Sequence, residues 1–195
     1  MKCFARCSLF AIAAVLVFVP CVEAGAARVV AYPAPEGEVL SDVFRVWAND
    51  VEIPVYQQRV NDPPFAEKFD HGGTYAFAMF DCEGPVTVRI ESSRPLGKTV
   101  MRPLVKGVSL KKGANSVEIQ MRGPTKLSIE PDGKRGPLLL FANPIETDAP
   151  AKDDPNVVYF GPGIHKPVRI NLTSNQTLYL AGGAVVKGSV TAKGD

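Results

Sequence analysis

Few residues in this 195-residue chain have the type and setting to do chemistry. Cys82 stands in FDCEG at the end of an apolar run. A cysteine attacks as the thiolate and needs an activating base; with no histidine near it, Cys82 reads as a small buried hydrophobe. His71 lies beside two glycines in a loop, where a solvated role outweighs that of ligand or base, and Asp70 next to it changes little. His165 follows Gly161-Pro162-Gly163 and reads as a turn or cap residue. Those three residues are no phosphate loop, because no lysine-serine pair and no strand-to-helix context follows. Asp153-Asp154 resembles a calcium or catalytic pair, yet calcium asks for roughly six or more oxygens and no others are at hand, so the pair reads as solvated. Trp47 and Tyr75 are the side chains whose rings could stack on a sugar. For Trp47, on the polar face of its strand, packing against a neighbour is the stronger reading. Catalytic residues, metal ligands and cofactors are therefore expected to be none.

These side chains need elements to hold them, and the elements begin after a leader. Lys2 and Arg6 precede an apolar run from Leu9 to Val19, too short to span a membrane well. Val22-Glu23-Ala24 then offers a small-residue cleavage site. Residues 1–24 are expected to be a signal peptide cleaved after Ala24, giving a secreted or periplasmic protein with no membrane partner. A lipoprotein reading at Cys21 lacks the small residue wanted before the cysteine. Cleavage also removes Cys3, Cys7 and Cys21 and leaves Cys82 alone, so the fold must hold together by its core without an internal disulfide. The formal charge is only +2, of which the leader carries one unit, and nothing in it marks a nucleic-acid partner.

The rest predicts an all-β chain. Seventeen Gly and seventeen Pro favour turns, and no stretch sustains helical periodicity. After a loose, proline-rich lead-in over 25–39, VFRVWANDVEIPVY reads as a hairpin turning at Asn49-Asp50, with Phe44, Val46 and Ala48 on one face and Arg45 and Trp47 on the other. TYAFAMFD puts Tyr75, Phe77 and Met79 opposite Ala76, Ala78 and Phe80, apolar on both faces and hence central. VTVRIES turns Val86, Val88 and Ile90 inward. NSVEIQM and TKLSIEP read as a strand pair turned by Gly123-Pro124, and PLLLFAN as a strand buried on both faces. About eight short strands over 40–145 are the pattern of an immunoglobulin-like β-sandwich. The charged segment 146–156 is a linker.

From Val157 the pattern changes. VVYF, VRINL, TLYLA, AVVKG and SV are separated by GPG, TSNQ, GG and KG, strands too short and too close for a self-sufficient sheet, so a winding of short strands is expected over 157–195. Such a unit needs further turns stacked on it, about three in repeat architectures, so the chain is expected to be truncated. YFGPGIH followed by SNQTLYLAGGAVVKGSV resembles the start of the right-handed parallel β-helix in pectin-lyase-like enzymes, most of all glycoside hydrolases of families 28 and 49, the polygalacturonases and dextranases. Some of these carry a front β-sandwich, to which 40–145 is similar in strand spacing. The resemblance implies a polysaccharide substrate and a pair of acids, roughly 6.5–9.5 Å apart, one protonating the leaving oxygen and the other activating water. The family's catalytic aspartates lie in later coils, and no residue here matches them. The sequons at Asn171 and Asn175 matter only in a host that glycosylates.

Three functions follow. The chain is the front of a secreted glycosidase and inert by itself; or a carbohydrate-binding module acting through Trp47 or Tyr75; or a structural sandwich that caps the open end of the helix. The front of a β-helix polysaccharide lyase is a fourth, related reading. Uronic-acid polymers would call for a basic cleft, neutral glucans for aromatic platforms.

Overall fold

A computed structural model describes residues 27–60, 73–131, 133 and 135–194. The expected signal peptide with its Ala24 site, and His71 with its loop, lie outside them. The described residues are all-β, and no helix is assigned among them.

Among the described residues, eleven strands form two sheets around one core. The five-stranded sheet is antiparallel, in the order β3 (Val51–Ile53), β2 (Phe44–Ala48), β6 (Val86–Ser92), β9 (Ser116–Met121), β8 (Ser109–Lys112). The six-stranded sheet runs β1 (Arg28–Val30), β5 (Gly73–Glu83), β11 (Leu138–Pro144), β10 (Thr125–Glu130), β7 (Val100–Arg102), with β4 (Val55–Val60) also on β5. The alternation read in the sequence sets which side chains meet between the sheets. Phe44, Val46 and Ala48 enter the core from one sheet, and Ala76, Ala78 and Phe80 from the other. Cys82 is buried among them, as expected of a small hydrophobe.

Three expectations about connectivity are corrected. The returning arm of the hairpin is not one strand: β3 pairs with β2 in the first sheet, and β4 pairs with β5 in the second. Pro54 stands at the switch, where a residue with no N–H to donate breaks a ladder at least cost. NSVEIQM and TKLSIEP are not paired with each other: β9 pairs with β6 and β8, and β10 with β11 and β7. Gly123-Pro124 carries the chain from one sheet to the other, so Ile119 and Ile129 bury themselves from opposite walls. The stretch read as a loose lead-in supplies β1, whose Arg28, Val29 and Val30 pair with Glu83, Cys82 and Asp81. β5 is central, as its two apolar faces required, and β11 lies parallel to it, Leu138 opposite Ala76.

Beyond the two sheets, strands come in threes. β12 (Val157–Phe160), β13 (Gly163–His165) and β14 (Arg169–Leu172) are followed by β15 (Thr177–Leu180), β16 (Ala184–Val186) and β17 (Ser189–Ala192). Each strand of the first triplet pairs in parallel with its counterpart twenty or twenty-one residues later. The turns stack as tightly as the strands. A Cβ on Gly188 would lie 2.0 Å from the Pro167 carbonyl oxygen one triplet earlier, so no larger residue fits. Asn175 turns the chain between triplets at φ 64°, a left-handed conformation that asparagine tolerates better than most.

Candidate functional site

The two rings singled out in the sequence lie far apart in the architecture. Trp47 is on the outer face of the five-stranded sheet, opposite Arg89 of β6 and Glu52 of β3. The Arg89 guanidinium lies 4.0 Å from its ring centroid and that of Arg45 4.7 Å. Arg45 is paired with Glu52 at 3.0 Å and Arg89 with Glu91 at 2.7 Å. The indole thus belongs to an exposed lattice of ion pairs. Tyr75 is half-buried on the outer face of the other sheet, so the two rings share no platform.

His165, Asp154 and Cys82 take structural roles. The His165 ring hydrogen-bonds the Gly161 carbonyl through Nε2 at 2.8 Å and tilts against Phe160, closing the turn. Asp154 accepts the Asn156 N–H at 2.8 Å in an exposed turn. The Cys82 thiol is pushed up by burial and by the Asp81 carboxylate, which keeps it from the reactive thiolate. Among the described residues no group of three His, Cys, Asp or Glu side chains could hold a metal ion.

What the structure brings together lies at the seam between the six-stranded sheet and the triplets. Phe77 and Met79 project outward from β5, and Tyr56 of β4 stacks on Phe77 at 5.0 Å. With the turn from Leu180 to Val185 they enclose a cleft of about 460 Å³. Its charged groups are carboxylates held by phenols, and Asn143 adds an amide. Tyr32 O–H donates to Asp81, and Tyr179 O–H donates to Glu146, just beyond β11. Burial, and then the bond to Asp81, pushes the Tyr32 phenol up to about 12. Tyr179 is pushed up to about 12, chiefly by its hydrogen bond to Glu146. Asp81 and Glu146 line the cleft, and no lysine, arginine or histidine does so among the described residues.

The same seam holds the regions together. A Cβ on Gly182 would fall 2.0 Å from the Tyr32 ring, so the tyrosine packs directly against the bare backbone of the turn. Glu38, its side chain 2% exposed, meets Lys187 of the triplets at 2.9 Å. Tyr159 and Tyr179, opposite each other on β12 and β15, stack at 5.3 Å.

Sequence reasoning missed Tyr32, Asp81, Glu146 and Tyr179 as a group. Tyr32 and Asp81 are 49 residues apart and Tyr179 and Glu146 are 33 apart, with no motif linking them. One signal was readable: Phe77 and Met79 make the outer face of β5 apolar where a solvated face would be polar.

No protein-family model matches the chain, and a search of curated proteins finds no match. Among solved structures it is similar to Dex49A from Penicillium minioluteum, with 16% sequence identity and a TM-score of 0.52 over 84% of this chain and 47% of that one. The likeness is one of fold, and this chain spans less than half the length of that protein.

Proposed function

We propose that this chain is the N-terminal portion of a secreted or periplasmic glycoside hydrolase that degrades a polysaccharide. In this reading the two sheets are an immunoglobulin-like sandwich over 40–145, and 157–195 is the start of a right-handed parallel β-helix whose later coils carry the catalytic aspartates. The sandwich covers the end of the helix and shields backbone groups and apolar surface that a first coil would otherwise expose.

The observation that carries the proposal is the parallel pairing of three successive strands with three counterparts twenty or twenty-one residues on. Pairing of that kind is how a solenoid grows, each turn covering the last. The fold likeness to Dex49A supports it. The YFGPGIH opening, resembling that of pectin-lyase-like hydrolases, supports the hydrolase chemistry. A rigid stack of coils can hold an acid and a base roughly 6.5–9.5 Å apart, which direct displacement by water requires.

The test begins with the reading frame downstream of Asp195. The expected result is continued short strands and a longer product that releases reducing ends from dextran or polygalacturonate with inversion at the anomeric carbon. A frame that stops at once would sink the hydrolase reading and leave a binding or structural sandwich. Unsaturated products would reassign the protein to the lyases.

A further inference from the structure

We propose that the cleft between β5 and the 180–185 turn is a binding site for an uncharged saccharide. The inference takes from the proposed function only that the ligand is a sugar. That the sugar is uncharged comes from the cleft itself.

Three features support it. The volume, about 460 Å³, is in the range that small ligands fill. Its floor is apolar and partly open: Phe77 is half-buried, while Met79 and Leu180 keep 40% and 46% of their surface. Large apolar side chains left open inside one concavity make a surface for a ring's C–H face, and Phe77 offers an aromatic plane. The rim is built to accept hydrogen bonds. Asp81 and Glu146 each take one from a tyrosine and retain further lone pairs, and Asn143 can both donate and accept. Sugar hydroxyls are donors that suit such a rim.

The charge decides the class. With two carboxylates and no cation lining the cleft among the described residues, a uronate would bring a third negative charge against Asp81 and Glu146. A neutral hexose chain meets no such cost. The site is also composite, because Phe77 belongs to a sheet and Leu180 to a triplet. A bound sugar would therefore favour the docked arrangement of the two regions.

The experiment is an NMR titration of the purified chain with isomaltotriose and with cellotriose as neutral probes, and with tri-galacturonate as their acidic counterpart. At least one neutral trisaccharide should shift the amide signals of Phe77, Met79 and Leu180 with millimolar or tighter affinity, and tri-galacturonate should leave them in place. Phe77→Ala should weaken binding about tenfold, the scale of one lost aromatic contact. Should that variant fail to fold, Met79→Ala at its exposed position decides instead, with a loss of about threefold or more. Absence of binding by both neutral probes would overturn the proposal. So would equal binding of tri-galacturonate, or unchanged affinity in the folded variant. A longer product that hydrolyses a neutral polymer while this cleft stays empty would defeat the cleft and spare the hydrolase. A cleft that binds, in a protein without hydrolase activity, would do the reverse.

Discussion

Among the described residues, twenty-one side chains from both sheets and Leu96 from the turn after β6 converge in one buried cluster, while in the triplets only Ile170 is buried. Both regions are made of short strands with similar residues. The difference is in where their apolar faces point. Two sheets can turn their faces on each other and complete a core. A triplet turns its faces on its neighbours along the stack, so its burial is shared with whatever lies next to it. Here that neighbour, on one side, is the 32–38 stretch, whose Tyr32 ring packs on Gly182 and whose Glu38 pairs with Lys187. The lesson is that the triplets borrow stability and the sheets supply it.

The sharpest way to break this contrast is to truncate one buried side chain in each region. Phe80→Ala, at a fully buried position, should cost about 3–5 kcal/mol and bring both regions down together in a urea titration followed by circular dichroism. Ile170→Ala should cost nearer ~2 kcal/mol, the low end for such truncations, because its surroundings are only partly closed. Equal costs would mean the triplets have a core of their own.

A smaller effect is expected from Gly188→Ala. The new methyl meets the Pro167 carbonyl oxygen, a backbone atom that cannot swing aside. A cost of about 1–3 kcal/mol, typical of overpacking, should fall on the triplets alone. Hydrogen exchange should speed up across β13–β17 while the amides of β6 and β9 keep their protection. Loss of protection in both regions would show that the stack and the sheets unfold as one.

The smallest effect concerns the seam, and pH reads it. The phenols of Tyr32 and Tyr179 are raised from 10 to about 12 in the folded chain. Below pH 10 both are protonated whether folded or not, and their contribution is fully present. Between about 10 and 12 the unfolded chain gives up protons that the folded chain retains, so stability falls as pH rises. Lysines titrate nearby, so the comparison is with the Tyr32→Phe/Tyr179→Phe double variant, whose slope across that window should be shallower. An unchanged slope would remove the two phenols from the account of the seam.

Much of this was legible in the sequence, and the limits have physical reasons. Phe44, Val46 and Ala48 announced their shared face because strand geometry alternates side chains without regard to partners. The neighbours of β9 were not legible, since Gly123-Pro124 turns a chain equally well back along one sheet or across to another. Trp47 could be put on the wet face, but the Arg89 guanidinium over its ring comes from forty-two residues further along the chain. A winding of short strands was readable, because GPG, TSNQ, GG and KG cut the apolar pieces too short for a self-sufficient sheet, whereas their parallel pairing was implied only by the resemblance. The cleft was not. Tyr32 lies in a proline-rich stretch with no alternation to orient it, and only the fold brings it to Asp81.

The parallel seat of β11 has a consequence for how the molecule comes into being. Leu138 lies opposite Ala76, some sixty residues earlier, and β11 separates β5 from β10 in the finished sheet. As the chain is made, β5 therefore emerges with one edge unsatisfied and must wait for β6 to β10 to be synthesised before its neighbour arrives. Pairings between such distant segments form slowly, and an open edge in the meantime can capture a strand from another chain. The order of synthesis thus makes Leu138–Pro144 the strand that closes the six-stranded sheet.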